Sequence, residues 1–582
     1  MGSIGTLILG VHLILTASVI GGSVVILLFK RLEFWPNLLT TIFTSLIIYK
    51  VYYSKIFPNK TKINIKLIGI TLLILLILLG ITYMRINYKM FNCSADLGWH
   101  IYYTFRIRQD YNLTEFLSIL LPFQLSTFNY PGIYFFLNLF VPFNFSLDFI
   151  PYINFLFNLV SFVFYSFIGI TISLITVYTI RDIFEKKSQS TFFATYIIYL
   201  LLDIPSDYVF RGNVADLVGF FYIYSSIYSI IVLWNISVIN LFKFTVISTF
   251  ISYFLHPYAT LYYLIIDLFI FLHLFMKLHT KFFKKIFHVD LLLYTLVILF
   301  LIITVHPLSP SIVTKTISLN NWIQNVQPLH PVAFQFSYLQ LNKIRLIFDI
   351  FLSLTITFLF AILPFTKQIN RIKIFNVVFL TYVPYYLLYL LPIFGIQIEP
   401  HRFVWRSFDF IPLFILVVFF TFKLINNIKS SILFLLILLV LYTFGFLTYT
   451  KSIYTPDYES LNPCGRNPQV IYNITQTLLF LLTFPNYSIV IFAEQVPYCT
   501  YFQVLNLLNP TIKVYPLSSS VIYILRGDIQ NNLRELYNKY LNCNLFSNYI
   551  YIYSKDYVCS SCYNCTIYTN FGLKIVMPGK TS

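Results

Sequence analysis

The clearest pair of ionisable residues with a working spacing is Asp96 and His100, in the run Asp96-Leu97-Gly98-Trp99-His100. A carboxylate and an imidazole four residues apart can share one helical face. Such a pair can take a proton from a hydroxyl, bind a divalent cation or position a polar substrate. The plainer alternative is a solvated loop acid with a histidine nearby. A second group is Glu399-Pro400-His401-Arg402-Phe403-Val404-Trp405-Arg406. Guanidinium groups bind phosphate in a bidentate fork, which makes Arg402 and Arg406 candidate phosphate ligands beside Glu399 and His401. The alternative is anchoring of the next helix at a membrane interface by Arg and Trp. Arg211-Gly212-Asn213 and Asp216 form a third group. Arg211 suits phosphate and Asp216 suits a further acid, although Asn213 or Asp216 also reads as a helix cap. His256 precedes Pro257 at a junction where Pro suits a first helical turn, so His256 either lines a cavity or packs there.

Long apolar segments must position these groups. The chain is 58% hydrophobic and 10% charged, and runs such as 68–82 and 431–444 are too apolar for ordinary soluble cores. About 20 apolar residues span a bilayer as a helix. Backbone groups in lipid must bond internally, so helices are the expected spanning form. Strands of a membrane barrel would be shorter and would alternate in polarity. About thirteen spans fit the chain: 4–29, 36–53, 67–86, 151–180, 191–204, 215–238, 242–256, 257–276, 289–305, 345–364, 374–395, 408–422 and 430–449. The first could serve as a signal peptide, but it lacks a basic leader and is long for one, so it reads as a retained helix.

The net charge of +18 gathers in the loops between spans. With the N-terminus cytoplasmic, the inner loops hold the Lys and Arg clusters around 55–66, 181–187, 277–285, 367–373 and 423–429. This is the positive-inside pattern, and it excludes nucleic acid as the reason for the charge. Lys30 and Arg31 are the main exception, on the outer side. The same layout puts every candidate group above on the outer face, with a long first outer loop at 87–150. Sequons at Asn92, Asn112, Asn144, Asn473, Asn486 and Asn564 fall outside as well.

Hydropathy drops after Thr450. Helical patterns at 468–482 and 528–541 alternate with strand patterns at 487–493, 520–525 and 549–553, which predicts a C-terminal extracytoplasmic α/β domain over 451–582. Six of the seven cysteines lie there: Cys464, Cys499, Cys543, Cys559, Cys562 and Cys565; Cys93 lies in the first outer loop. An even set outside the cytoplasm reads as disulfides with fifteen possible pairings. The competing use of Cys559, Cys562 and Cys565 is a metal site, which an oxidising compartment disfavours.

The layout resembles the GT-C fold of membrane glycosyltransferases. The spacing and aromatic setting of Asp96 and His100 are similar to the acidic motif that opens the first outer loop of oligosaccharyltransferase catalytic subunits. The resemblance covers 67–450 as topology, with residues 1–66 as two additional N-terminal helices. The paired tryptophans that begin those subunits' acceptor-recognition motif have no counterpart: Trp35, Trp99, Trp234, Trp322 and Trp405 are all isolated. The resemblance therefore implies transfer of one sugar from a polyprenyl- or dolichyl-phosphate carrier to an unknown extracytoplasmic acceptor. In that scheme Asp96 is the base, or a metal ligand with His100, and Arg402, with Arg406 or Arg211, holds the departing phosphate. A divalent metal, Mg or Mn, is the only cofactor implied. The partners are the lipid-linked donor, membrane lipids and the acceptor. Two other classes stay open: a transporter or flippase, and a non-catalytic scaffold of the same fold that binds a cell-surface partner.

Overall fold

A computed structural model describes residues 2–50, 65–86, 93, 95–109, 131–180, most of 192–200, 214–234, 238–255, 469–484, 487–492, 499–517, 549–554, 565–570 and 573–578. The first seven expected spans fall wholly or partly within these residues. The six from 257 to 449 lie outside them.

The described N-terminal part is helical. Its helices are α1 (Gly2–Phe29), α2 (Phe34–Ile48), α3 (Ile65–Ile86), α4 (Ala95–Arg106), α5 (Pro131–Asn138), α6 (Ile150–Ile180), α7 (Val214–Trp234) and α8 (Val238–Leu255). Among the described residues three apolar stretches are long enough to cross a membrane: Ile4–Phe29, Leu147–Tyr178 and Val214–Leu233. At 31 residues, α6 is about 46 Å long. Hydroxyl side chains inside these helices bond back to the preceding turn, as Ser161 does to the Phe157 carbonyl and Ser229 to that of Ser225. Such bonds let polar residues sit where no water reaches.

Helix α1 ends at Lys30, whose φ of 57° is the left-handed cap conformation, with its N–H returning to the Ile26 carbonyl. Arg31 then pairs with exposed Glu33 at 2.5 Å, and α2 starts at Phe34. Gly21 lets the two helices meet closely, since a Cβ there would stand 3.0 Å from the backbone nitrogen of Thr41. The Leu32 N–H donates to the Ile107 carbonyl at 3.1 Å. The α1–α2 turn and the end of α4 therefore share one side of the bundle, as the alternation of spans requires. Lys30 and Arg31 thus sit with the first long loop.

The resemblance places α1 and α2 outside its core; in the structure α1 packs against α2, α3, α5, α6, α7 and α8. Its contact with α7 is partly polar. His12 Nδ1 lies 2.8 Å from Ser225 Oγ of α7, and its ring stacks on Tyr222 with centroids 4.2 Å apart. Thr16 Oγ1 reaches the Tyr222 hydroxyl at 3.1 Å. Gly132 of α5 fits where Val19 and the Phe254 backbone leave no space for a side chain.

Among the described residues the C-terminal part holds helix α9 (Val470–Leu481), a 3-10 helix (Cys499–Val504), the short α10 (Leu505–Leu508) and five strands. The strands are β1 (Ser488–Phe492), β2 (Val514–Leu517), β3 (Tyr549–Ser554), β4 (Cys565–Asn570) and β5 (Leu573–Pro578), in the order β2-β1-β3-β5-β4. β1 runs parallel to both neighbours, with Ile489 opposite Val514 and Ile550. β5 is antiparallel to β3 and β4. Ile489, Val490 and Ile491 are all buried, as are Ile550 to Tyr553, as expected for central strands covered on both faces. The helix expected at 468–482 and the strands expected at 487–493 and 549–553 are present as α9, β1 and β3. β2, β4 and β5 are additional. The expected strand at 520–525 and helix at 528–541 lie outside the described residues. Helix α9 packs on α6 and on the 3-10 turn Leu147–Phe149 at its start. This places the sheet-bearing part at the end of the bundle where the first long loop sits.

Candidate functional site

Asp96 and His100 are in one α-helix, one turn apart, in the first half of α4. The helix is short and amphipathic, and its buried side carries Leu97, His100, Ile101, Thr104 and Phe105. His100 is only 4% exposed, and its ring centroid lies 6.0 Å from that of Tyr134 on α5. Tyr134 also meets Tyr103 at 5.3 Å, and Tyr103 stacks under Trp99 at 5.5 Å with an interplanar angle of 16°. Thr104 Oγ1 donates to the His100 carbonyl at 2.7 Å. The imidazole is thus fixed by an aromatic wall, while the side chain of Asp96 is outside the described set.

The far end of α4 is held by two arginines that the sequence did not single out. Arg108 donates to the carbonyls of Val141 and Phe143 and lies over the Phe105 ring, 5.1 Å from its centroid. Burial lowers its guanidinium pKa from 12.5 to about 10. Arg106 bonds the side chain of Gln109. Between these anchors and Tyr134 sits Asn138, fully buried, one turn beyond Tyr134 on α5. Neither atom of its side-chain amide has a hydrogen-bond partner among the described residues. A buried amide without partners is costly, and such groups concentrate where structure serves function.

The C-terminal part forms the other flank. Tyr102 donates to Asn506 Oδ1 at 3.5 Å, and Gln109 Nε2 donates to the Leu507 carbonyl at 3.3 Å. Tyr501, fully buried, donates to Asn154 Oδ1 on α6. Burial raises the phenol pKa of Tyr501 well above its usual value. Burial also raises that of Tyr102, with Arg106 acting in the opposite sense. The helix that carries Asp96 and His100 is therefore enclosed between α5 and the 3-10 helix at 499–504.

Asp216 lies in the first turn of α7, partly exposed, where a carboxylate complements the helix N-terminus. Arg211, His256, Glu399, His401, Arg402 and Arg406 lie outside the described residues, so the structure brings together Asp96 and His100 alone from the candidate set. Among the sequons, Asn144 is exposed in a loop. Asn473 lies within α9, with Thr475 buried and its hydroxyl bonded to the Ile471 carbonyl. Asn92, Asn112, Asn486 and Asn564 are outside the described residues. Among those residues no group of three or more His, Cys, Asp or Glu gathers as a metal centre would require.

The cysteine framework needs one correction. Cys93, fully buried just ahead of α4, is disulfide-bonded. The six C-terminal cysteines are therefore not a closed set. Cys499 opens the 3-10 helix and Cys565 opens β4, while Cys464, Cys543, Cys559 and Cys562 lie outside the described residues. The signal available in the sequence was the odd total of seven.

No protein-family model, curated protein or solved structure matches this chain.

Proposed function

We propose that the protein is an integral membrane glycosyltransferase that moves a sugar from a polyprenyl- or dolichyl-phosphate donor to an extracytoplasmic acceptor. The observation that carries this is the placement of Asp96 and His100 one turn apart on a helix at one end of the bundle, between an aromatic wall and the sheet-bearing part. Asp96 takes the proton of the acceptor hydroxyl as its oxygen attacks the anomeric carbon. The bond from that carbon to the phosphate oxygen breaks, and the polyprenyl phosphate leaves with the electron pair. Arg402, with Arg406, Arg211 and His401 as further candidates, neutralises the departing phosphate. His100 orients Asp96 and the incoming hydroxyl. Glu399, Asp216 and His256 complete the outer-face set.

A divalent metal would take Asp96, with His100, as ligands and would supply Lewis-acid stabilisation of the phosphate. Mg and Mn favour oxygen donors, and the imidazole is buried against Tyr134, so general-base action is the role assigned to Asp96.

The test is transfer from labelled polyprenyl-phosphate sugars in proteoliposomes, comparing the parent protein with Asp96→Asn. Transfer by the parent and its loss in the variant supports the assignment; equal transfer by both removes Asp96 as the base. A second class, a transporter, draws on one observation: His12 is an ionisable residue buried among spanning helices, a position that often marks a translocation path. Substrate flux across the same vesicles without transfer would favour that class.

A further inference from the structure

Among the described residues, the packing brings the backbone of one C-terminal cysteine to the start of α4. The other six cysteines all lie at or beyond residue 464, so the bond joins the start of α4 to the C-terminal part. The Tyr102–Asn506 and Gln109–Leu507 bonds fix the second half of α4 beside α10. The 3-10 helix at 499–504 also lies against α4. It must then run along the first half of α4, and the two elements are parallel. Counting back from the Tyr102–Asn506 contact, the start of α4 at Ala95 is about 10.5 Å away at α-helical rise, and Cys93 lies two residues before it. Cys499 is seven residues back from Asn506, or about 14 Å at mostly 3-10 rise. The two cysteines stand at the same level. Cys565 does not compete: it opens β4, at the edge of the sheet opposite β2, which contacts the 3-10 helix.

We propose a Cys93–Cys499 disulfide that clasps the sheet-bearing part onto the helix carrying Asp96 and His100. Two thiols are oxidised to one disulfide, and the disulfide of a thiol oxidoreductase is reduced to a dithiol by exchange through a mixed intermediate. The clasp requires an oxidising compartment, so it assigns α4 and the C-terminal part to the extracytoplasmic side. It makes the 3-10 helix a fixed wall beside Asp96, three residues from Cys93, rather than a lid. The functional meaning of that wall rests on the glycosyltransferase assignment; the bond itself does not.

The sequence makes the bond directly mappable. Cleavage after Lys and Arg puts Cys93 alone in peptide 90–106 and Cys499 alone in peptide 467–513. Full-length protein is alkylated at lysis, enzymatically deglycosylated, digested without reduction and analysed by mass spectrometry. The expected result is a linked pair of these two peptides that separates on reduction. Peptide 90–106 alkylated at Cys93, or linked to any of the other five cysteines, overturns the proposal. Cys93→Ser and Cys499→Ser form a second arm: each frees one new alkylatable thiol in the other peptide, and labelling elsewhere instead counts against the pairing. Sugar transfer enters neither readout, so the pairing and the proposed activity can fail separately.

Discussion

Replacing Asn138 with Leu should stabilise this protein, an unusual expectation for a buried polar residue. The residue is fully buried, and both its side-chain oxygen and nitrogen lack partners among the described residues. Each unsatisfied buried group costs about 1–3 kcal/mol. Leu removes both at similar volume, and its different branching returns up to about 1.5 kcal/mol as strain. The net gain is about 2 kcal/mol, close to a 30-fold rise in the folded-to-unfolded ratio. Reversible unfolding in mixed micelles, followed by tryptophan fluorescence, measures it. Asn138→Asp is the counterpart: it places a carboxyl in the same site and should lower stability. A loss of more than 1 kcal/mol in Asn138→Leu would refute the reasoning, because it would mean that the amide is satisfied in the working molecule. Transfer activity adds a separate reading. If Asn138 meets substrate beside Tyr134, Asn138→Leu is more stable yet slower.

Three further outcomes follow from the packing. Gly132→Ala should cost about 1–3 kcal/mol, since the new Cβ would meet the Phe254 backbone, which cannot step aside; a melting temperature equal to the parent's would show that α5 can shift. Glycosidase treatment should shift the mobility of the parent more than that of Asn144→Gln, whereas Asn473→Gln should match the parent, because its sequon is held in a packed helix. The Tyr501 phenol is raised by burial, so its share of docking stability is full below the unfolded pKa of about 10 and falls as pH rises above that value. Proteolysis of the C-terminal part should therefore quicken above pH 10 in the parent, and this dependence should be weaker in Tyr501→Phe.

The apolar runs were legible because length and composition alone decide them, and the ends of α1, α6 and α7 fall within a few residues of the expected spans. β1 and β3 were legible for a similar reason, being short apolar runs. β2 was hidden by Pro516, which pairs opposite Ile491 despite lacking an N–H. β4, Cys565 to Asn570, carries few apolar residues and so gives only a weak strand pattern. For the site, spacing placed Asp96 and His100 on one helix but gave no hint of what surrounds them. Tyr134, Asn138 and Asn506 lie between 30 and about 400 residues further along the chain. Only tertiary packing brings them to α4, and no local pattern records it. His12 leaves no mark in the sequence pattern because one histidine barely alters the hydropathy of a 28-residue helix.

That histidine carries a consequence for biosynthesis. Its hydrogen-bond partner Ser225 lies 213 residues later in the chain. At about 5–20 residues per second, the ribosome reaches Ser225 roughly 10–40 s after His12. For that interval the imidazole lacks the Ser225 hydroxyl and the Tyr222 ring, and an exposed polar ring in lipid is unfavourable. Shelter at the insertion machinery or beside a membrane chaperone is therefore expected for the first helix until α7 arrives. The yield of a protein whose opening segment is completed so late will depend, in a foreign host, on how long that host can shelter an unfinished helix.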